Sequence, residues 1–598
     1  MLLERRRSPL SPALLAQVGI GWAALSGLLL IVGWSAIGGL KFPDPDDIMR
    51  LVQVRDLIAG QSWFDVSQYR VDSANGGVPM HWSRLVDIPL VLVIMALSPF
   101  VGMANAELAA IIIVPLFTLA IAMLLAARIA WRLLGEDEAI MTCVAIAVSV
   151  PLLFQFGLLR IDHHGWQIVC ALTAMNGLMA RKASTGGWVA GSAVAFWLTI
   201  SIEGLPLAAA VFGVLALRWI RNRNERDWLV RGMQALAAVS AVLFLLTRGV
   251  GDLATYCDAI GPAQIGMFCW GALVFGVMSK AEPLPLPAIW LGFVVAAGGA
   301  IGLMLMAAPQ CAGGGFAALD PMVKYYWYDR VHEGLPIWQQ LQLEAALHYA
   351  VAPLIGIFAV LNLISESRDW LRRFWIDYAI VLIAAFAVSL LVARAGAVAG
   401  ALAAVPLAWQ IRKWLRAIRL MRAPTPRVIA TAGVALALLP ALPVMLFGWA
   451  MPAQASLGGV AALEAKAPKA SKCQIAETSR LLRNLPAGEI FAPLDIAPRL
   501  LLETDHSVIA TGHHRGQAGM KVVIETSLAS ADDARIALSA RGTNYVAICA
   551  DLGEPRMYAH IAPQGFVANL IDGEPPEWLE PIELNSNSSL KVWRVSGN

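Results

Sequence analysis

Residues 107–131 read ELAAIIIVPLFTLAIAMLLAARIAW, and no charge interrupts the stretch between Glu107 and Arg128. A helix rising 1.5 Å per residue needs about 20 such residues to cross a hydrocarbon core about 30 Å thick. Similar runs lie at about 15–40, 86–101, 138–158, 165–180, 187–202, 205–219, 232–247, 262–279, 284–308, 343–364, 376–394, 396–411 and 428–450. The composition agrees. Of 598 residues, 58% are hydrophobic and 15% charged, and the mean hydropathy is +0.64. A soluble domain carries about 25% charged residues. These values exclude a disordered chain and a highly charged nucleic-acid binder, and they argue against an ordinary soluble enzyme. The net charge of +3 names no acidic partner.

Basic residues settle which runs cross. Arg5, Arg6 and Arg7 precede the first run, which is longer than the roughly 7–15-residue core of a cleaved signal peptide, so it reads as a retained first helix with a cytoplasmic start. Further basic clusters lie at Arg128/Arg132, Arg181/Lys182, 218–231, Lys280, 368–373 and 412–427. If every run crosses, the later clusters fall outside, against the usual bias. If 86–101, broken by Pro89 and Pro99, lies at the membrane surface, all of them fall inside. The expectation is a polytopic α-helical membrane protein with about thirteen crossings, its N-terminus inside and its C-terminus outside. The outer segments are then 41–106, 159–165, 203–204, 248–261, 309–342, 394–396 and everything beyond 451. Residues 1–451 form the transmembrane part, with loops 41–106 and 309–342 long enough to build a site.

The character changes after 451. Residues 452–472, rich in Ala, Lys and Pro, read as a linker. From 473 to 598, helix-like 475–485 alternates with strand-like 489–492, 507–511 and 545–548, which predicts a C-terminal α/β domain outside the membrane. Cys473 and Cys549 are its only cysteines; outside the cytoplasm they pair as readily as they stay free. The seven cysteines of the chain include no Cys-x-x-Cys, so no zinc ribbon is expected.

Three outer segments carry groups that anchoring does not require. Pro43-Asp44-Pro45-Asp46-Asp47 sets three carboxylates within four residues, which suits a helix N-cap or a divalent cation. Arg160-Ile161-Asp162-His163-His164 sets a carboxylate beside two imidazoles, ready chemistry for a metal ion at a membrane interface. Loop 309–342 holds Cys311-Ala312-Gly313-Gly314-Gly315, then Tyr325-Tyr326-Trp327-Tyr328-Asp329-Arg330, then His332-Glu333-Gly334. Its aromatic rings fit an interfacial belt or the face of a sugar. Arg160, Arg248 and Arg394 are outer arginines; a guanidinium there either snorkels to headgroups or grips a phosphate.

These residues together resemble the C-type (GT-C) multi-pass glycosyltransferases that use polyprenyl-linked sugars, and among them the catalytic subunit of the archaeal and bacterial single-subunit oligosaccharyltransferases. The resemblance rests on the acidic stretch leading into Ile48-Met49-Arg50, the His81-Trp82 segment running to Pro89, the Asp162-His163-His164 triplet, the carboxylate on the long outer loop and the terminal α/β domain. It implies sugar transfer, with inversion, from a polyprenyl phosphate or diphosphate to a glycan, lipid or protein acceptor outside the bacterial inner membrane. It further implies Asp46, or its neighbour Asp47, as the catalytic carboxylate and Glu333 as the loop glutamate that closes the site. A divalent cation, Mg²⁺ or Mn²⁺, would be held by Asp46, Asp162 and His164. Arg394, with Arg160 or Arg248, would contact the donor's phosphate, and His163 and Tyr328 would line the substrate. The Trp-Trp-Asp-Tyr-Gly signature for acceptor peptides is absent; Ala510-Thr511-Gly512-His513-His514-Arg515 stands in the terminal domain instead. The alternative is a transporter or flippase of lipid-linked sugars, which would carry charges near mid-helix and symmetric halves. Here the charges cluster at helix ends.

Overall fold

The computed structural model describes residues 10–340, 343–447, 472–584 and 588–596. The expected linker, 452–472, lies outside the described residues except for its last one. The chain divides into two compact units: Met1–Trp34, Trp82–Ala318 and His332–Ala450 in the first, and Ser35–His81, Leu319–Val331 and Met451–Asn598 in the second.

The first unit is helical throughout. Among the described residues, nine helices are long and apolar enough to cross a membrane: Pro12–Val32, Met103–Leu133, Ile202–Arg221, Arg223–Thr247, Pro262–Lys280, Leu286–Ala307, Leu343–Glu366, Asp369–Leu391 and Ala393–Arg419. This is a polytopic helical membrane architecture. The remaining expected crossings take a different form. One breaks at Val148 and Ser149 into Glu136–Ala147 and Val150–Gln155; others are the helices His164–Gly177, Ala183–Ile200 and Pro424–Leu438. His164–Gly177 has 14 residues and so spans about 21 Å. Asp87–Val101, expected to lie at the surface, is a separate 15-residue helix with Pro99 inside it. The helices are enclosed to very different degrees. Ala393–Arg419 has 89% of its most apolar stretch buried, whereas Leu286–Ala307 has 11%. The first sits at the heart of the bundle, and the second turns its apolar side chains outward.

Close helix packing comes from glycine. Ala183–Ile200 lies against Asp227–Thr247 and carries Gly187 and Gly191, a small-xxx-small spacing that lets backbones approach. A Cβ on Gly191 would lie 2.1 Å from the Gly232 carbonyl oxygen, and one on Gly187 would lie 2.6 Å from the Trp228 carbonyl oxygen. Gly191→Leu is therefore expected to cost about 3 kcal/mol or more, read as a lower melting temperature of the purified protein. Gly27→Leu, at a site with nothing within 4 Å of the added Cβ, should melt like the parent. Equal melting of the two variants would contradict this packing.

The second unit is built on a five-stranded mixed sheet. Its strands are β3 (Glu489–Phe491), β4 (Ser507–Val508), β5 (Tyr545–Cys549), β6 (Leu579–Ile582) and β7 (Leu590–Val595), in the order β4-β3-β5-β7-β6. β3 pairs parallel with β4 and β5; β7 runs antiparallel to β5 and β6. A short hairpin, β1 (Ser67–Gln68) with β2 (Val78–Pro79), belongs to the same unit. Val71 bridges to Val508, with the Val508 N–H donating to Arg70 O (2.8 Å) and the Asp72 N–H to Val508 O (2.9 Å). The loop that follows the first helix thus extends the sheet edge. An ion cluster fastens it, for Arg541 reaches both Asp72 (2.8 Å) and Glu489 (3.0 Å). Val323, from the segment Leu319–Val331, packs into the same core as Phe491, Ile524, Ile548 and Phe566.

Cys473 and Cys549 are bonded in the second unit, with their Cα atoms 5.9 Å apart. A second disulfide, Cys257–Cys311 in the first unit, joins the segments that follow the helices Asp227–Thr247 and Leu286–Ala307. The spacing of the cysteines did not announce that pair.

Candidate active site

In the first unit the chain turns sharply between the helices Val150–Gln155 and His164–Gly177. Leu159 sits in the left-handed region (φ +63°), a conformation that costs a β-carbon residue about 1–2 kcal/mol, and its N–H donates to Ile111 O (3.1 Å). The turn delivers Arg160, Asp162, His163 and His164, all buried, to the N-terminus of the second helix. That helix end favours a nearby carboxylate.

Asp162 is the hub. One carboxylate oxygen meets His163 Nδ1; the other lies 3.3 Å from His164 Nε2 and 3.9 Å from Arg160 Nη2. Burial opposes its ionisation, but the two imidazoles and the guanidinium override it and hold the carboxyl well below the usual carboxylate range. The ring orientations are fixed. Gln167 Nε2 lies 3.3 Å from His164 Nδ1, and Gln167 Oε1 accepts from Trp197 Nε1 (3.0 Å). Arg160 Nε donates to Gln155 Oε1 (3.2 Å), and its guanidinium lies 5.0 Å from the Phe154 ring centroid. A small cavity lined by Val114, Thr118, Gln155, Arg160, Asp162 and Trp166 adjoins the triplet.

The triplet suits a divalent cation. One carboxylate oxygen and two imidazole nitrogens lie within 4.8 Å of one another. Ligands about 2.1–2.3 Å from a shared ion lie within about 4.6 Å of each other, so little movement closes them on one. An ionised carboxylate and a neutral imidazole are the protonation states such ligation needs.

Two further segments complete this cluster. Arg394, in the turn Ala393–Ala395, pairs with Glu333 (3.1 Å) and with Glu203. Glu333 also lies 3.9 Å from Arg160. The loop bearing Glu333 is tied to that turn, as the Ala393 N–H donates to Leu335 O (3.1 Å). The structure therefore gathers Arg160, Asp162, His163, His164, Glu333 and Arg394. Arg248 stands apart, holding its own loop through Asp252 (2.7 Å), Ile260 O (2.8 Å) and the face of Tyr256. Glu203 escaped the sequence reading, because a lone carboxylate in a two-residue turn carries no pattern.

In the second unit the acidic stretch separates into three roles. Asp44 is the N-cap of the helix Pro45–Ile58, its carboxylate accepting from the Asp46 N–H (2.9 Å). Asp47 is fully buried. Asp46, with 28% of its side chain exposed, lies 3.1 Å from His513 Nε2. His513 is buried, and its Nδ1 meets Thr511 Oγ1 at 2.8 Å. Around this pair the His81 and His514 rings lie 4.6 Å apart, Arg515 donates to Met80 O (3.0 Å), and the Trp327 indole sits against Gly512. Tyr328 belongs to this unit, its ring 6.4 Å from that of Trp327. The sequence had shown 510–515 only as the stretch that stands in the terminal domain without the acceptor-peptide signature. The partnership of His513 with Asp46 is made by the fold.

No protein-family model matches the sequence, and no curated protein matches it either. Solved structures do. The archaeal oligosaccharyltransferase AglB from Archaeoglobus fulgidus, in complex with an inhibitory peptide and a dolichol-phosphate, superposes with a TM-score of 0.65 at 15% identity, over 95% of this chain and 72% of that one.

This chain shares the fold of the archaeal oligosaccharyltransferase.

The apo form of the Archaeoglobus fulgidus enzyme gives the same TM-score and identity over 95% of this chain and 73% of that one. The form tethered to an acceptor peptide containing the NVT sequon gives 0.64 over 98% and 74%. The fold expected from the motifs, a helical membrane unit with a terminal sheet domain, is thus that of the oligosaccharyltransferase.

Proposed function

We propose that this protein is an integral-membrane glycosyltransferase that moves a sugar from a polyprenyl phosphate or diphosphate to an acceptor on the outer face of the membrane. In this reading the N-terminus is cytoplasmic, the C-terminal domain lies outside, and the membrane is the bacterial inner membrane. The observation that carries it is the buried Asp162-His163-His164 triplet flanked by Arg160 and Arg394, on the fold of an oligosaccharyltransferase. A metal-ligating set beside two arginines is chemistry for a phosphate leaving group.

Arg394 and Arg160 bind the donor's phosphate and set its anomeric carbon for attack. By the resemblance, Asp46, held by His513 in the second unit, is the candidate to receive the acceptor's proton. The acceptor's nucleophile forms a bond to the anomeric carbon as the bond from that carbon to the phosphate oxygen breaks, and the configuration inverts. Asp162 and His164 are the residues that would hold Mg²⁺ or Mn²⁺, and the ion supplies charge neutralisation at the leaving phosphate. Acceptor choice belongs to the second unit, where the absence of Trp-Trp-Asp-Tyr-Gly argues against an Asn-x-Ser/Thr peptide. The test is metal dependence: chelation with EDTA should stop transfer from a polyprenyl-linked sugar, and Mn²⁺ should restore it. Transfer unaffected by exhaustive chelation would remove the cation from the account.

A further inference from the structure

Arg394 meets two carboxylates from two differently built segments. Glu203 sits in the one-turn connection Ile202–Gly204, between the helices Ala183–Ile200 and Leu205–Arg221. Its position is set, since a Cβ on the adjacent Gly204 would lie 2.5 Å from the Trp197 indole nitrogen. Glu333 comes from the long outer loop, in the single turn His332–Gly334. The loop backbone is held there, with Gln340 Nε2 donating to His332 O (2.8 Å) and the Ala393 N–H donating to Leu335 O. The Glu333 side chain is a quarter exposed, so its carboxylate can swing out about its own side-chain torsions while the backbone stays.

Glu333 also bridges. Its two oxygens face two guanidinium groups, Arg394 at 3.1 Å and Arg160 at 3.9 Å. An anion spanning two arginines is the arrangement a phosphate adopts, and a phosphate offers more oxygens and more charge to the same pair. Glu333 holds Arg394 Nη1 while Glu203 holds Nη2, so a phosphate that takes Nη1 and reaches Arg160 needs the place of the Glu333 carboxylate, and its entry and the departure of Glu333 are coupled.

Building on the donor-phosphate reading above, we infer that Glu333 is an acidic latch. In the donor-free protein its carboxylate occupies the arginine pair that the polyprenyl phosphate takes, and the incoming phosphate displaces it. Glu203 stays behind as a positioning residue that keeps Arg394 oriented through the exchange. The latch keeps the arginines matched when no donor is bound, and it frees the loop carboxylate only once a donor has arrived. Free inorganic phosphate competes for the same pair but lacks the lipid that holds the donor at the membrane surface.

The experiment uses the full chain in phosphatidylcholine nanodiscs, with undecaprenyl phosphate carrying no sugar as the probe and equilibrium binding as the readout. Glu333→Gln should bind the probe about five-fold more tightly than the parent, the scale of one partly exposed ion pair released. Glu333→Ala should shift in the same direction, which guards against a residual glutamine contact. Arg394→Gln should bind more weakly, and Glu333→Gln should give no tightening in the Arg394→Gln background. Parent-like or weaker binding by both Glu333 variants, while Arg394→Gln still loses affinity, would overturn the latch and leave the donor reading standing. No binding by any form, the parent included, would overturn both.

Discussion

Asp162→Asn is expected to lower sugar transfer per folded molecule by a hundred- to a thousand-fold, the range seen when a group stabilising transition-state charge is removed. The substitution keeps the shape and loses the charge on which His163, His164 and Arg160 converge. Mn²⁺ affinity should fall at least ten-fold, because a neutral amide is a poor substitute for a carboxylate ligand. Some stability is lost as well, since a buried arginine keeps its charge with less opposing it. Asp377 separates the two effects. It is as deeply buried and pairs with Arg218 and Arg221, both at 2.7 Å, in the helix Asp369–Leu391. Asp377→Asn should lower the melting temperature comparably and leave transfer per folded molecule within a few-fold of the parent. Equal loss of transfer in the two variants would mean that Asp162 is structural.

The second large effect concerns the acidic stretch. Asp46→Asn should lower transfer about a thousand-fold, the upper range for general base work together with electrostatic stabilisation, while the melting temperature stays put. The reason is local. The helix start is capped by Asp44 and not by Asp46, whose carboxylate faces His513. Asp44→Ala should do the reverse: about 1 kcal/mol of stability lost with the cap, and a modest fall in transfer that follows the misplaced helix start. His513→Gln should fall between them, at about ten-fold in transfer, because it positions Asp46 without touching the reacting atoms. A melting temperature that drops as far in Asp46→Asn as in Asp44→Ala would show that the roles of the two aspartates are reversed.

Much of this was legible in the chain. A charge-free stretch such as 108–127 has one physical reading, and the long helices follow from it. The pieces that escaped do so for definite reasons. His164–Gly177 is a 14-residue helix whose side chains are mostly buried within the protein, and an apolar run in the sequence does not say what covers it. The inclusion of Ser35–His81 in the sheet-bearing unit rests on one parallel bridge, Val71 to Val508, and on side-chain pairs such as Asp72 with Arg541 and Asp46 with His513, none of which leaves a two-residue period in the sequence. The Asp162-His163-His164 triplet was visible because its members are adjacent in sequence. Glu203, His513 and the Cys257–Cys311 bond join residues far apart in the chain, and only folding brings them together. Asp44 to Asp47 lay between the two cases. The capping reading holds for Asp44, whereas the Asp46 carboxylate faces His513, and which aspartate caps depends on the helix start.

The most direct test of the account follows the fate of the donor. The purified full chain is supplied with a radiolabelled polyprenyl-linked sugar and Mn²⁺ in a membrane extract that provides acceptors, and the lipid and water-soluble products are separated over time. The account predicts that label leaves the lipid and appears in an acceptor with inverted anomeric configuration, and that Asp162→Asn and Asp46→Asn leave the donor intact. Label that stays on the lipid with the parent protein, or that crosses the bilayer still attached to it, would contradict the account.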